Sequence, residues 1–166
     1  IKNKLVEMQK LNDGVILQLP LPDKFKESTK DILSILENKK DVDALNPNNS
    51  FFTAPIVLAF EKVICEVNRQ GGWLKKCAAF FKHILNPQTV AIVGLGQVVG
   101  LPIRDYCLKN GFKVVEINKD NYSDIKKGDI VVSGVGVPHI IKKEFIKDGA
   151  ILIDYGCSFV GNIACG

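Results

Sequence analysis

Val90-Ala91-Ile92-Val93-Gly94-Leu95-Gly96-Gln97-Val98-Val99-Gly100 is the stretch that decides the fold. Its opening apolar run is too short for a helix and ends on a glycine, which reads as a buried strand. The glycines then follow the pattern G-x-G-x-x-x-G. From Val98 to Asn110 the apolar residues Val99, Ile103, Tyr106 and Cys107 recur at helical spacing, and Gly111 supplies a stop. Further short apolar runs at Val114-Val115, Ile130-Val131-Val132 and Ala150-Ile151-Leu152-Ile153 predict more strands. Near-continuous Val/Ile runs, without apolar–polar alternation, suit parallel strands covered on both faces. The order strand, loop, helix, strand makes a βαβ unit, with two more strands after it.

This pattern predicts an α/β chain: a Rossmann-type parallel sheet with helices on both faces. A dinucleotide's pyrophosphate needs bare backbone at a helix N-terminus, where free N–H groups and the helix dipole favour an anion. Gly94 permits the tight turn off the strand, and Gly96 lets a phosphate come close. The third glycine, Gly100, falls one residue later than in the usual fingerprint, so the placement of the triplet between strand and helix carries more weight than the triplet itself. The competing reading is that the glycines only allow close helix–strand packing. A second pair, Gly134-Val135-Gly136, follows the third strand and should border the same crevice, because ligands of such sheets lie at the carboxyl ends of strands. The second strand should end with the ribose reader. Glu116-Ile117-Asn118-Lys119-Asp120 offers both an acid, suited to NAD, and a cation, suited to NADP. Lys119 tilts the reading to NADP, Asp120 nearly cancels the tilt, and both could be solvated turn charges.

The first part of the chain reads differently. Val15-Ile16-Leu17 is expected to be a buried strand, closed by Leu19-Pro20-Leu21-Pro22, whose prolines favour an extended loop. Ser28 can cap a helix to about Asn38, with Ile32, Leu33, Ile35 and Leu36 as its buried side. Asp41 through Ser50 is a polar, turn-rich loop. Thr53 then caps a helix with Pro55 in its first turn, burying Ile56, Val57, Phe60, Val63, Ile64 and Val67 and running to Gly71-Gly72. A basic, aromatic-bearing helix is expected from Trp73 to Leu85.

Composition narrows the function classes. The 22 basic and 18 acidic residues give a net charge of +4, and the lysines fall in scattered pairs such as Lys39-Lys40, Lys126-Lys127 and Lys142-Lys143. A nucleic-acid surface would gather them on one stripe with aromatics between, so no nucleic acid is expected as partner. No apolar run reaches the roughly 18 to 20 residues of a membrane span. The 5 cysteines show no C-x-x-C spacing, so no metal is expected. Their odd number, without a signal peptide, points to reduced thiols in a cytosolic setting.

Asp13-Gly14-Val15-Ile16-Leu17-Gln18-Leu19-Pro20-Leu21-Pro22 closely resembles the D-G-I-L-V-Q-L-P-L-P signature of the bifunctional methylenetetrahydrofolate dehydrogenase/cyclohydrolase family. Lys40-Asp41-Val42-Asp43 matches that family's K-D-V-D. Gly94 to Pro102 resembles its G-R-S-x-x-V-G-x-P cofactor loop, Ser133 to Pro138 its A-V-G-K-P, and Lys147 to Gly156 its K-x-G-A-x-x-I-D-x-G. The resemblance implies oxidation of 5,10-methylenetetrahydrofolate by hydride transfer to NAD or NADP, then hydrolysis of the methenyl product to 10-formyltetrahydrofolate. It implies that Gln18 hydrogen-bonds the catalytic lysine and the reacting folate, with Leu19 and Pro20 beside it, and that Asp43 holds the pterin ring. Gln18 suits the role, since an amide orients and polarises but cannot titrate. Without the flanking signature it would read as an ordinary strand-end amide, and Asp43 as a turn-forming residue. The cofactor side comprises Gly94, Leu95, Gly96, Gln97, Val98, Val99, Gly100, Lys119, Gly134, Val135, Gly136 and Asp154.

The chain also departs from the pattern. The family's catalytic Tyr-x-x-x-Lys falls upstream of Ile1, and its P-V-P-G-G-V-G segment falls downstream of Gly166. The chain therefore reads as an internal fragment, inactive as given: residues 1–66 as the later part of an α/β folate-binding catalytic domain, and 67–166 as the Rossmann domain. Leu95 and Gly96 stand where the family places Arg and Ser, which removes a cation suited to a 2′-phosphate. Asn49 to Pro55 only loosely resembles P-C-T-P-x-G. The segment around Trp73 has no counterpart in the pattern and reads as a packing or dimer-contact insertion, in a parent expected to be a cytoplasmic homodimer. Two other readings remain: a degenerate homologue that binds folate or nucleotide without turnover, and another Rossmann dehydrogenase. The second explains the glycine loop but not Gln18 to Pro22.

Overall fold

A computed structural model describes residues 1–49, 51–70, 88–161 and 163–165. The helix expected from Trp73 to Leu85 lies outside the described residues. The chain divides into two compact units, Ile1–Lys62 and Val63–Gly166.

The first unit begins with α1 (Lys2–Leu11), which turns Leu5 and Gln9 inward. Leu5 joins Val15, Ile32, Leu33 and Leu36 in a small core, with Leu17, Leu21, Phe25, Ile35 and Leu45 packed around it. Helix α2 (Thr29–Leu33) is shorter than the spacing predicts. Its next carbonyls are taken by distant side chains: Gln9 Nε2 donates to Ile35 O at 3.2 Å, and Asn46 Nδ2 to Leu36 O at 2.7 Å. The Glu37 N–H meanwhile donates to Gln9 Oε1 at 2.6 Å. With those groups committed, the last turn closes through i→i+3 bonds and the helix ends.

The strand expected at Val15-Ile16-Leu17 is reduced to one parallel bridge, Val15 with Asp41. Val15 is buried, but Ile16 is 62% exposed. A strand exists only where a neighbour completes its ladder, and here Lys40-Asp41 offers a single point of pairing.

Helix α3 (Pro55–Gln70) starts with proline at its first position. The first helical bonds run from Val57 and Leu58 to the Ala54 carbonyl, so Ala54 rather than Thr53 occupies the cap. Val57, Phe60 and Ile64 are buried, whereas Val63 and Val67 are exposed, a narrower stripe than the sequence suggests.

The second unit holds four parallel strands in the order β2-β1-β3-β4: β1 (Thr89–Val93), β2 (Lys113–Ile117), β3 (Ile130–Ser133) and β4 (Ile151–Asp154). Between β1 and β2 runs α4 (Gly100–Lys109), which buries Ile103 and Cys107. It begins at Gly100 rather than Val98 and stops at Gly111, whose φ is +83°. Burial pushes the Cys107 thiol up to about 12, which leaves it a packing group rather than a nucleophile. Alternate residues of the central strands face opposite sides. Ala91, Val93 and Val131 pack with Ile117 and with Ile125 of a 3-10 helix (Tyr122–Lys127). Beyond β4, β5 (Ser158–Val160) and β6 (Ile163–Cys165) form an antiparallel pair. Among the described residues no helix is long and apolar enough to cross a membrane.

Asp129 clamps the amino ends of three strands. Its carboxylate accepts the Thr89 N–H at 2.9 Å and pairs with Lys147, its own N–H donates to Thr89 O, and its carbonyl accepts from Ile151. The hydrogen bond from Lys147, then that from Thr89, hold its carboxyl below the usual carboxylate range. A depressed pKa means the stabilisation is present above the unfolded value near ~3.9 and is lost as pH falls through the folded value. Asp129→Ala is therefore expected to cost about 1 to 2 kcal/mol at neutral pH. Denaturant midpoints measured from pH 7 to pH 2 should show the gap from wild type shrinking below about pH 4. A gap that is unchanged at pH 2 would contradict the clamp.

Candidate active site

The glycine loop leaves β1 at Gly94, whose φ is +84° and whose N–H donates to Ile117 O at 3.3 Å. That bond ties the loop to the end of β2. At its far end, a β-carbon on Gly100 would overlap the Gly94 carbonyl oxygen and lie 2.8 Å from Leu95 Cα. Backbone meets backbone there, so only glycine fits. Gly96 is different: a β-carbon would meet nothing within 4 Å, and the residue faces open space. Close packing accounts for Gly94 and Gly100, but not for Gly96.

Between these ends, the backbone N–H groups of Leu95, Gly96, Gln97, Val98, Val99 and Gly100 make no hydrogen bond among the described residues. The next N–H, of Leu101, returns to Gly96 O at 3.0 Å. Gln97 and Val99 are half-buried and Val98 is 47% exposed. A run of unpaired donors at the start of a helix is the backbone pattern that favours an anion.

The second loop packs against the first. A β-carbon on Gly134 would lie 2.8 Å from Val99 Cγ1, and Val135 occupies the space beside Gly94. The Gly134 N–H donates to Val93 O at 3.1 Å, continuing the ladder from β3 to β1. Gly136 is exposed, with its Cα direction blocked by the Cys157 carbonyl. Ser133, Val135, Val137, His139, Leu152 and Asp154 line a cavity of about 180 Å³ at the carboxyl ends of β3 and β4. Ser133 and Asp154 are register partners, and Asp154 Oδ1 accepts the Gly156 N–H at 2.8 Å. His139 adopts φ +59°, a costly conformation for a residue with a side chain. Sequence gives no signal for it.

At the end of β2, Asn118 and Asn121 build the turn. Asn121 Oδ1 accepts the Asn118 N–H at 2.7 Å, Asn118 Oδ1 accepts the Asp120 N–H at 2.8 Å, and Asn121 Nδ2 donates to Glu116 O at 3.0 Å. Lys119 is exposed on this turn and makes no ion pair among the described residues. Beside it lies a pair the sequence reading missed: Arg104 of α4 and Glu116, 3.6 Å apart.

In the first unit, Val15 and Asp41 are parallel partners, so Gln18 and Asp43 follow the same point along two neighbouring segments. Gln18 is exposed, and its Nε2 donates to the adjacent Leu19 O at 3.2 Å. The Leu19–Pro20 bond is cis. Of the two acids in Lys40-Asp41-Val42-Asp43, Asp41 is buried and structural. Its carboxylate accepts from Leu45 N, Asn46 N and Asn49 Nδ2 at 3.1, 2.8 and 3.0 Å. Asp43 is half-buried and its carboxylate has no partner among the described residues. Ala44 follows at φ +52°, a left-handed kink that reverses the chain directly after Asp43.

A family model described as the tetrahydrofolate dehydrogenase/cyclohydrolase NAD(P)-binding domain matches residues 78–166. The chain belongs to this family. The bifunctional protein FolD of Aquifex aeolicus is 34% identical over 157 residues, which cover 88% of this chain and 49% of that protein. The chain thus spans about half the length of the curated relatives it matches. The crystal structure of the bifunctional 5,10-methylenetetrahydrofolate dehydrogenase/cyclohydrolase from Thermoplasma acidophilum superposes with a TM-score of 0.66 at 26% identity, covering 99% of this chain and 57% of that one. The FolD structure from Trypanosoma brucei, complexed with NADP and an inhibitor, gives a TM-score of 0.66 at 23% identity, over 95% of this chain and 53% of that one. Membership explains the order of the motifs. The dehydrogenase/cyclohydrolase loop in this chain differs at Leu95 and Gly96, and its free N–H groups do not depend on those side chains.

Proposed function

We propose that the full-length protein oxidises 5,10-methylenetetrahydrofolate with NAD or NADP and hydrolyses the methenyl product to 10-formyltetrahydrofolate. The observation that carries the reading is the row of unpaired N–H groups from Leu95 to Gly100, in a domain of the tetrahydrofolate dehydrogenase/cyclohydrolase family. Those donors would hold the pyrophosphate of the dinucleotide, with Lys119, Gly134, Val135, Gly136 and Asp154 as further cofactor contacts. Residues 1–66 would supply the folate side and 67–166 the cofactor side.

The chemistry asks little of the protein in its first step. A hydride leaves the methylene carbon for the nicotinamide, and the folate nitrogens stabilise the cation that remains, so positioning dominates. In the second step water adds to the methenyl carbon and the ring opens to the formyl product, which needs polarisation and proton transfer. Gln18 would orient the reacting folate, and Asp43, whose carboxylate is free to accept, would take hydrogen bonds from the pterin ring. A homodimer in the cytoplasm is part of the same reading.

Full-length protein mixed with methylenetetrahydrofolate and either nucleotide is expected to show the absorbance gain of reduced cofactor. No gain with NAD and none with NADP would sink the dehydrogenase assignment.

A further inference from the structure

The sheet register locates where the adenosine ribose of a bound dinucleotide would be read. Val93 pairs with Ile117, so Gly94 and Asn118 open their two loops side by side. In a dinucleotide fold, an acid near this point on the second strand accepts the ribose 2′-hydroxyl of NAD. Here the position belongs to Asn118, an uncharged amide whose Oδ1 is committed to the Asp120 N–H. Lys119 follows, exposed and without an ion pair among the described residues. Asp120 stands one residue farther from the strand end. The remaining acid is Glu116, the penultimate residue of β2, one step before the carbonyl that anchors Gly94.

Glu116 does not stand alone. Arg104 Nη1 lies 3.6 Å from Glu116 Oε1, and Arg104 Nη2 lies 2.7 Å from Asp105 Oδ1. The Arg104 side chain is 28% exposed, against 49% for Glu116 and 64% for Asp105. The guanidinium thus faces two carboxylates, held by Asp105 of its own helix through Nε at 2.8 Å as well, and it reaches Glu116 of β2 with its remaining nitrogen.

We propose that Arg104 is a positioning residue for cofactor choice: it neutralises Glu116, so that Lys119 attracts a 2′-phosphate and the protein prefers NADP to NAD. The inference rests on the dinucleotide-binding reading above. It moves the determinant away from the glycine loop, where Leu95 and Gly96 offer no side-chain cation, to the α4–β2 edge. An exposed ion pair contributes little to stability. On a doubly charged phosphate held within about a Debye length (~8 to 10 Å) the same charges would act without full screening.

The test measures NADP and NAD binding to the full-length protein as wild type, Arg104→Leu, Glu116→Gln and the double variant. Leucine retains the helix and much of the arginine stem. Wild type is expected to bind NADP at least about tenfold more tightly than NAD. Arg104→Leu should weaken NADP about tenfold and change NAD by less than about twofold, and adding Glu116→Gln should restore NADP to within about threefold of wild type. Glu116→Gln alone should leave NADP binding equal or tighter, a readout that stands even if Arg104→Leu fails to fold. Equal weakening of both cofactors, absence of rescue, NADP weakened by Glu116→Gln, or a wild type that prefers NAD would each overturn the role of Arg104. A wild type that binds neither nucleotide would instead remove the dinucleotide reading, and this inference with it.

Discussion

Gln18→Ala in the full-length protein is expected to abolish methenyl hydrolysis, a loss of at least about a hundredfold, with cofactor affinity within about twofold of wild type. The size of the effect follows from what Gln18 does not do. Its side chain is exposed and its one hydrogen bond runs to the carbonyl of the next residue, so it holds no part of the fold together. Stability should move by less than about 0.5 kcal/mol, which separates this variant from a folding defect. The backbone around it is nonetheless fixed, by the Val15–Asp41 bridge before it and Pro20 after it. An amide on backbone held at both ends, with only its nitrogen engaged by the neighbouring carbonyl, is suited to orient a polar ring. Hydrolysis followed by the loss of methenyl absorbance, at the wild-type rate in the variant, would remove Gln18 from the mechanism.

The glycine loop yields the second large effect, as a contrast between two alanines. Gly100→Ala forces a β-carbon into the Gly94 carbonyl and the Leu95 backbone, and backbone has no rotamer by which to escape. The expected cost is about 3 kcal/mol of stability, with dinucleotide binding lost as the loop opens. Gly96→Ala places its methyl in open space at an ordinary φ. It should leave thermal stability within about 0.5 kcal/mol and still weaken dinucleotide binding about tenfold or more, because the methyl stands where a phosphate would approach. Thermal melts with and without NADP read both. A Gly96→Ala protein with unimpaired binding would reduce all the loop glycines to packing devices.

The sheet was legible because its signal is local. Ile92, Val93, Val131 and Val132 are apolar in sequence for the reason that they are buried in space: parallel strands are covered on both faces. Where the outcome depends on a distant partner, local pattern misleads. Val15-Ile16-Leu17 has the composition of a strand but only one point of pairing, so Ile16 lies exposed. The helix from Ser28 stops early because Gln9 and Asn46 capture its carbonyls from elsewhere in the chain. Site residues divide in the same way. The glycine loop could be read from its placement between a strand and a helix, more than from its spacing. That Asp41, not Asp43, is the buried member of the K-D-V-D motif could not, because both are aspartates in a turn and only tertiary contacts with Leu45, Asn46 and Asn49 separate them. The pairing of Arg104 with Glu116 was illegible for the same reason, the two being twelve positions apart on a helix and a strand.

The contact of Gly94 with Gly100 bears on the kinetics of the site. A loop whose two ends lie so close that no β-carbon fits between them is nearly a closed ring, and for an anion it would present donors already gathered. Little conformational entropy remains to be lost on association, so capture should approach rigid-body docking. Substitutions along the ring should then act on residence time, with dissociation rates spread widely and association rates nearly constant.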